Sequence, residues 1–334
     1  MPNAAVPSQP RRLLSPLSAL PLALFGVLTA CHDAADAVVA PSLAVQSAAS
    51  AQSSDPIVVT GGLELPEAMI HDPVDDVYLV SNIGEGNPLA LDSNGFISRV
   101  APDGTILDLR WIDGASQGVE LHGPFGMALS GDRLYVVDRN ALRVFDRRTG
   151  ASLGTVAEFP YTFPHTSGSV ALLNDVCLDA AGSLYLTDSG LTLDGGGNFA
   201  PTGTDAVYRI RDGVVETAVA GENTLGPNGC AAIGGNVVWT SFKSNRLLRT
   251  NPSGRIFEVA VLPEGQIDGV IRVGGSLYLS SWEEGRIFRT SIGGSDPEIV
   301  ISDVPTPGSI GFDEGRRRLL IPLVFSNEVR IYPM

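Results

Sequence analysis

The chain has 334 residues, of which only 18% are charged, while 38 are glycine and 23 are proline. This balance favours many short β-strands joined by tight turns over long surface helices with paired charges. The formal net charge of −15 argues against nucleic acids and anionic lipid surfaces as partners. We therefore expect an all-β protein that binds neither.

The first 30 residues have the features of an export signal. A pair of arginines precedes an apolar run over 13–28, which two prolines interrupt and which is too short for a lasting membrane helix. The sequence "LTAC", ending at Cys31, resembles the lipobox of bacterial lipoproteins. It predicts a lipoprotein-type signal peptide over 1–30 and acylation of Cys31, with ordinary signal cleavage nearby as the alternative. The protein would then be exported to the periplasm or cell surface of a bacterium, with its lipid as its only contact with the membrane.

Residues 31–54 are rich in alanine and serine and have no repeating apolar face. Such a composition is typical of a flexible tether and not of a folded core. The folded domain is therefore predicted to span 55–334. Loss of the two leader arginines would change the formal charge from −15 to −17.

A sixfold internal repeat fills this predicted domain. Each unit has a short entering segment, a strongly hydrophobic strand and a further strand-like run, and in the first five units that run ends at a glycine turn. The hydrophobic strands are "DDVYLVSN", "DRLYVVDR", "GSLYLTDS", "GNVVWTSF", "GSLYLSSW" and "RRLLIPLV". Successive units begin 40 to 58 residues apart, which suits one four-stranded sheet per unit with variable loops. The repeat predicts a six-bladed β-propeller.

The sixth unit is one strand short, because the chain ends with "EVRIYPM". An uncovered strand edge has to be paired or protected. The strand-like run over 55–65 precedes the first unit, and we expect it to close the last blade as its outer strand.

Cys177 and Cys230 are the two cysteines of the predicted domain. An exported chain could pair them. However, each lies in an apolar strand-like run, where a cysteine behaves as a small buried hydrophobic residue. We expect two free, buried thiols.

One register position of the repeat is rich in oxygen donors. The innermost strand of a propeller blade begins beside the central channel, so the residues at its start converge on the axis. Aligned there are Glu67, Phe125, Asn174, Asn228, Asp268 and Gly308. Two carboxylates and two amides suit one hard divalent cation, for which Ca²⁺ is the first candidate. Asn and Asp also occur at turns entering strands, where they bond local backbone, but their shared register favours the metal site.

At these motifs the chain resembles the senescence marker protein/gluconolactonase family of six-bladed propellers, with a more distant likeness to diisopropyl fluorophosphatase and paraoxonase. The resemblance covers essentially the whole domain and is carried by "LPEAMIHDPVDDVYLVSN", "LNDVCLDAAGSLYLTD", "PNGCAAIGGNVVWTS" and "IDGVIRVGGSLYLSS". The family's metal ligands map onto Glu67, Asn174, Asn228 and Asp268. The resemblance implies hydrolysis of lactones, esters or organophosphates at Ca²⁺ or a similar ion, which would stabilise a developing oxyanion.

Asp268 is the predicted catalytic residue, as general base or as nucleophile, because a ligand carboxylate at an open metal face is placed for either role. Asp175 is the second choice, although its position in the strand points it away from the substrate.

The expected substrate pocket departs from the family in two places. The sugar-lactone members carry an arginine where this chain has Leu172, and the paraoxonase channel histidine corresponds to Phe125. Both changes favour a substrate more apolar than a sugar acid. Other candidates for the pocket or its rim are His122, Phe163, Trp282 and the glycine-rich insertion 191–204, which reads as a mobile loop.

Two functions remain open. The first is an exported, metal-dependent hydrolase of a small lactone or ester, acting as a monomer. The second is a non-catalytic propeller that keeps the metal for stability and binds a ligand or a protein at the cell envelope, since fold alone does not decide function.

Overall fold

The computed structural model describes residues 55–160, 172–194, 196–294 and 296–334. These residues form six antiparallel four-stranded sheets and one small hairpin. Apart from strands they contain two short 3-10 turns, Glu222–Thr224 and Val324–Ser326. The predicted all-β fold, a six-bladed β-propeller, is confirmed.

The first three blades follow the chain in order from the axis outwards. Blade 1 consists of β2 (Pro66–Asp72), β3 (Val77–Asn82), β4 (Phe96–Val100) and β5 (Ile106–Asp113). Blade 2 consists of β6 (Pro124–Ser130), β7 (Arg133–Asp138), β8 (Ala141–Asp146) and β9 (Ser152–Glu158). Blade 3 consists of β10 (Leu173–Leu178), β11 (Leu184–Asp188), β14 (Ala206–Arg211) and β15 (Val214–Ala220). The small hairpin, β12 (Leu191–Leu193) with β13 (Phe199–Pro201), is inserted between the second and third strands of blade 3.

The last three blades follow, and the N-terminal strand belongs to the sixth. Blade 4 consists of β16 (Pro227–Ile233), β17 (Asn236–Ser241), β18 (Arg246–Thr250) and β19 (Ile256–Val261). Blade 5 consists of β20 (Ile267–Val273), β21 (Ser276–Ser281), β22 (Arg286–Ser291) and β23 (Glu298–Ile301). Blade 6 consists of β24 (Gly311–Asp313), β25 (Arg318–Leu323), β26 (Glu328–Pro333) and the N-terminal strand β1 (Ile57–Val59). No helix in the described ranges is both long and apolar enough to cross a bilayer.

Hydrophobic side chains fill the spaces between neighbouring blades. Ala68 and Leu79 of blade 1 pack with Met127 and Leu134 of blade 2, and equivalent clusters follow around the ring. The second strand of each blade has neighbours on both faces, and every residue of β3 is buried. This explains why the second strands read as nearly continuous apolar runs in the sequence.

The N-terminal strand closes the ring as predicted. Ile57 pairs with Ile331, and Val59 pairs with Val329 across the β1–β26 ladder. Near the axis the first and last blades also bond directly, since the Ser309 amide donates to the Glu67 carbonyl over 2.7 Å. The N-terminal strand therefore covers the edge of β26 and gives the last blade its fourth strand.

In blades 1 to 5 the ladder between the first two strands is interrupted at the same place. Two residues near the start of the first strand are skipped by the regular pairing: Glu67-Ala68, Phe125-Gly126, Asn174-Asp175, Asn228-Gly229 and Asp268-Gly269. We call each such pair the axial bulge of its blade. An interruption of this kind re-aims a side chain relative to a regular strand.

The second residue of the axial bulge is glycine in blades 4 and 5, where the backbone of the next blade comes close. A Cβ at Gly229 would lie 2.6 Å from the carbonyl oxygen of Asp268, and one at Gly269 would lie 2.7 Å from the amide nitrogen of Ile310. Neither glycine has a positive φ, so the restriction is one of space. The blades therefore touch through backbone at the axis.

The expectation of two free thiols was wrong, because Cys177 and Cys230 form a disulfide. Their Cα atoms lie 5.8 Å apart, and the bond joins the first strands of blades 3 and 4. These strands run side by side in adjacent blades, which brings together two cysteines that are 53 residues apart in sequence.

Candidate functional site

An apolar cavity lies at one end of the propeller channel. It encloses about 580 Å³ of space, including its open mouth. The first bulge residues of five blades line it: Glu67, Phe125, Asn174, Asn228 and Asp268. The other described lining residues are mainly aliphatic and aromatic, and none of these is Lys, Arg or His. Four carboxyl and amide side chains therefore share one predominantly hydrophobic space.

Each of these four side chains has a buried oxygen atom without a hydrogen-bond partner. The atoms are Glu67 Oε2, Asn174 Oδ1, Asn228 Oδ1 and Asp268 Oδ1. The four residues are only 3–4% exposed. Buried polar atoms in folded proteins nearly always have partners, so a group of four calls for a ligand.

The two carboxyl groups of the cluster are electrostatically unfavourable as anions in the bare chain. Burial, followed by the charges of Asp268 and Asp175, raises the pKa of Glu67 well above its ordinary value. Burial, followed by the charge of Asp175, raises the pKa of Asp268 to about 8, against a lowering by the Trp282 indole. Desolvation and like charges both disfavour the ionised form, and a bound cation would offset both.

This donor set fits a hard divalent cation. Carboxylate and amide oxygens are the ligands of Ca²⁺, Mg²⁺ and Mn²⁺, whereas zinc and copper sites use imidazole or thiolate. Within the described ranges no group of three or more His, Cys, Asp or Glu residues could hold a metal ion. The amides of Asn174 and Asn228 supply two of the oxygens that carboxylates would supply in an all-acidic metal site.

Asp175 has a different role from its neighbour Asn174, because its carboxylate turns away from the cavity. Its Oδ1 accepts a hydrogen bond from the Val176 amide, and its Oδ2 accepts one from the Cys230 amide of blade 4, both over 2.8 Å. Burial raises the pKa of Asp175 to about 7, although these two backbone bonds lower it. Asp175 therefore bridges two blades, and it does not line the cavity.

An aromatic wall borders one side of the cavity mouth. It consists of Phe199, Phe242, Trp282 and Phe325, from blades 3, 4, 5 and 6. Adjacent rings along the wall have centroids 5.4, 5.2 and 5.5 Å apart and meet edge to face. Phe325 is 63% exposed and Phe199 is 43% exposed. Exposed rings beside an apolar cavity provide a surface for an apolar ligand group.

The predicted pocket residues have different positions in the structure. Phe125, Leu172 and Trp282 line the cavity. His122 is not among its lining residues, and its Nδ1 accepts a hydrogen bond from the Ser93 amide over 3.1 Å. His122 therefore bonds locally and does not line the cavity. Phe163 lies outside the described residues.

The insertion 191–204 contributes to the cavity wall through its hairpin. Leu191 on β12 and Phe199 on β13 both line the cavity. Sequence reasoning missed the wall residues Phe242 and Phe325. A positional signal was available, since Phe242 and Trp282 directly follow β17 and β21, and Phe325 follows β25 by one residue.

No protein-family model matches the chain, and no curated protein matches it. Solved structures do. A provisionally assigned gluconolactonase has 18% identity and a TM-score of 0.62, with 83% of this chain and 92% of that chain covered. A gluconolactonase from Xanthomonas campestris has 16% identity and a TM-score of 0.60, with 84% and 95% covered. A chain of the nidogen/laminin complex has 20% identity and a TM-score of 0.51, with 69% and 76% covered.

The similarity at these identities is one of fold. Two of the three structures are described as gluconolactonases, so the propeller implied by the family resemblance is confirmed. The third comes from a complex between proteins, which illustrates that the same architecture serves different functions. The function of this chain has to be argued from its own site.

Proposed function

We propose that the chain is a metal-dependent hydrolase of apolar lactones or esters, exported and lipid-anchored at Cys31. The observation that carries the proposal is the set of four unpartnered buried oxygens on the floor of an apolar cavity. The two gluconolactonases of the same fold make lactone hydrolysis the natural reaction class.

Glu67, Asn174, Asn228 and Asp268 would hold one divalent cation, with Ca²⁺ as the first candidate. When bound, this ion supplies a positive charge that polarises a substrate oxygen and stabilises negative charge developing on it. The protein offers four donors where Ca²⁺ takes about six to eight, so coordination positions would be left for water or substrate.

Asp268 is our candidate general base. Its Oδ1 is buried, has no hydrogen-bond partner and belongs to a residue that lines the cavity. As a carboxylate it can take the proton of an attacking water molecule at its second oxygen, Oδ2, while Oδ1 would hold the cation. In the bare chain burial raises the pKa of Asp268 to about 8, and a bound cation would lower this pKa and favour the carboxylate form that a base requires.

The cavity wall argues for an apolar, uncharged substrate. Leu172 stands where the sugar-lactone members of the resembling family carry an arginine, and among the described residues that line the cavity none offers a positive charge to a carboxylate or phosphate. The aromatic wall would instead pack against an acyl or aryl group and exclude water from it.

The proposal is tested with a panel of lactones and aryl esters of increasing acyl length, assayed with Ca²⁺, Mn²⁺ or a chelator. Wild-type protein should hydrolyse apolar members in the presence of metal and lose activity with the chelator. Asp268→Asn should lower kcat/KM by about 100-fold or more, and Asn174→Ala should behave similarly. Metal binding without hydrolysis of any substrate above the variants would instead support the binding-module alternative.

A further inference from the structure

The axial bulges differ from blade to blade in the residue that faces them from the second strand. In the four blades with an oxygen donor, this residue carries a hydroxyl group: Ser81, Thr187, Thr240 and Ser280. All four are fully buried. In blade 2, whose bulge carries Phe125, the equivalent residue is Val137, and in blade 6 the segment facing Gly308 is Ile321-Pro322. We call the four side chains the bulge hydroxyls.

The bulge hydroxyls bond to the backbone that carries the donors. Thr187 Oγ1 accepts from the Asp175 amide over 2.9 Å, directly after Asn174, and donates to the carbonyl of Asn228 in the next blade. The Thr240 hydroxyl donates to the carbonyl of Asp268, again in the next blade. Each threonine therefore fixes the main chain of a donor in the following blade.

The two serines complete the pattern. Ser280 Oγ accepts from the Gly269 amide over 2.7 Å, directly after Asp268, and donates to the carbonyl of Gly308 over 2.8 Å. Ser81 Oγ accepts from the Ala68 amide over 2.9 Å, directly after Glu67. Each of the four donors thus has a bulge hydroxyl bonded either to its own carbonyl or to the amide of the next residue.

The bulge itself does not require this hydroxyl. Blade 2 forms the same interruption, at Phe125-Gly126, with Val137 facing it. The hydroxyls therefore follow the oxygen donors and not the fold. Groups that orient metal ligands without touching the metal are a general feature of metal sites.

We propose that Thr187, Thr240, Ser280 and Ser81 are positioning residues, which fix the main chain of the donor bulges so that four side-chain oxygens meet around one hard divalent cation. This inference rests on the proposed metal site. It assigns the four hydroxyls no contact with the ion or the substrate.

The test measures ion binding directly, with Tb³⁺ as a luminescent substitute for Ca²⁺. Trp282 lines the cavity together with Asp268, so its excitation should sensitise bound Tb³⁺, and Ca²⁺ should displace it. Thr187→Val and Thr240→Val remove the hydroxyl and keep the shape. Each should weaken Tb³⁺ binding by about 10- to 100-fold, and Thr187→Ser should restore it.

Thr250→Val is the matched control. Thr250 is a buried threonine of the same blade as Thr240, and its hydroxyl also bonds backbone carbonyls, those of Asn251 and Arg255, but it does not line the cavity. Urea unfolding in chelator measures what each substitution costs the fold alone. We expect Thr250→Val to keep wild-type ion affinity whatever its stability.

The outcomes separate this inference from the function on which it rests. If wild-type protein binds neither Tb³⁺ nor Ca²⁺, the metal-dependent function fails and the inference fails with it. If wild-type protein binds the ion and both valine variants bind it equally well, only the positioning role is overturned. A Thr187→Ser variant as weak as Thr187→Val would overturn it too. Should Thr187→Val not fold, Thr240→Val and Ser280→Ala decide the question by the same measurement.

Discussion

Blades 1, 3, 4 and 5 differ from blades 2 and 6 at the axis, although all six share one architecture. The first group supplies the four oxygens and the four bulge hydroxyls. The second group supplies apolar surface to the same cavity, through Phe125 in blade 2 and through Val324 and Phe325 in blade 6. The axial bulge is present in blades 1 to 5 whether or not its first residue carries an oxygen donor. The identity of that first side chain is therefore free to serve a site.

The largest expected effect comes from removing an oxygen donor at the first position of an axial bulge. Asn228→Leu places an apolar side chain of similar size in the bulge of blade 4 and removes one of the four proposed metal-binding oxygens. We expect it to reduce ion affinity by about 100-fold or more, since even residues that only support a ligand cost about 10- to 100-fold. Titration with Tb³⁺ and Ca²⁺ measures this.

Phe125→Leu is the matched variant on a blade without a donor. It changes the same register position, so any general damage to the bulge should appear in both variants. We expect Phe125→Leu to bind the ion with wild-type affinity. Equal losses of ion affinity in the two variants would contradict a separate role for the four donor blades.

Blades 3 and 4 are also the pair that the disulfide joins, which gives the second prediction. The Cys177→Ala/Cys230→Ala double variant opens a connection between residues 53 apart, for which loop entropy predicts a loss of about 4 kcal/mol in the free energy of unfolding. Urea unfolding under non-reducing conditions measures this loss. Two titratable thiols in the folded wild-type protein would contradict the disulfide.

Cys31→Ser is the control, because it removes the remaining cysteine of the chain without touching the disulfide. It should leave the free energy of unfolding unchanged. It should also move the expressed protein from the membrane fraction to the soluble fraction, as the predicted lipid anchor requires. A wild-type protein that is already soluble after export would rule out the anchor and leave the disulfide prediction standing.

The sequence was sufficient for features that recur at a fixed place in the repeat. The six hydrophobic strands and the convergence of Asn174 with Asp268 follow from register. The closing strand was predicted within 55–65 because the sixth unit is one strand short, and it is found at Ile57–Val59. The bulge hydroxyls could have been read in the same way, since Thr187 and Thr240 occupy one column of the aligned strands. The sequence column alone does not show which backbone groups these hydroxyls bond, because that depends on the bulge.

Contacts between neighbouring blades could not be read from the sequence. The pairing of Cys177 with Cys230 depends on how closely adjacent sheets approach at the axis, which the alignment of repeats does not give. The same holds for Asp175, whose carboxylate bonds the Cys230 amide across that gap. The bonding of His122 to Ser93 is likewise set by the packing of two loops.

The smallest expected effect concerns the apolar contribution of blade 6. Phe325 continues the aromatic wall beyond Trp282 and is mostly exposed, so Phe325→Ala should leave both the ion site and the fold intact. If the wall packs against an acyl chain, the loss of part of one ring contact costs about 1 kcal/mol, or several-fold in kcat/KM. The loss should appear with long acyl esters and vanish with acetate esters.

Val214→Ala is the control, because Val214 is similarly exposed on the outer strand of blade 3 and does not line the cavity. An equal loss on short and long esters would mean that blade 6 supports the site generally and does not select the substrate.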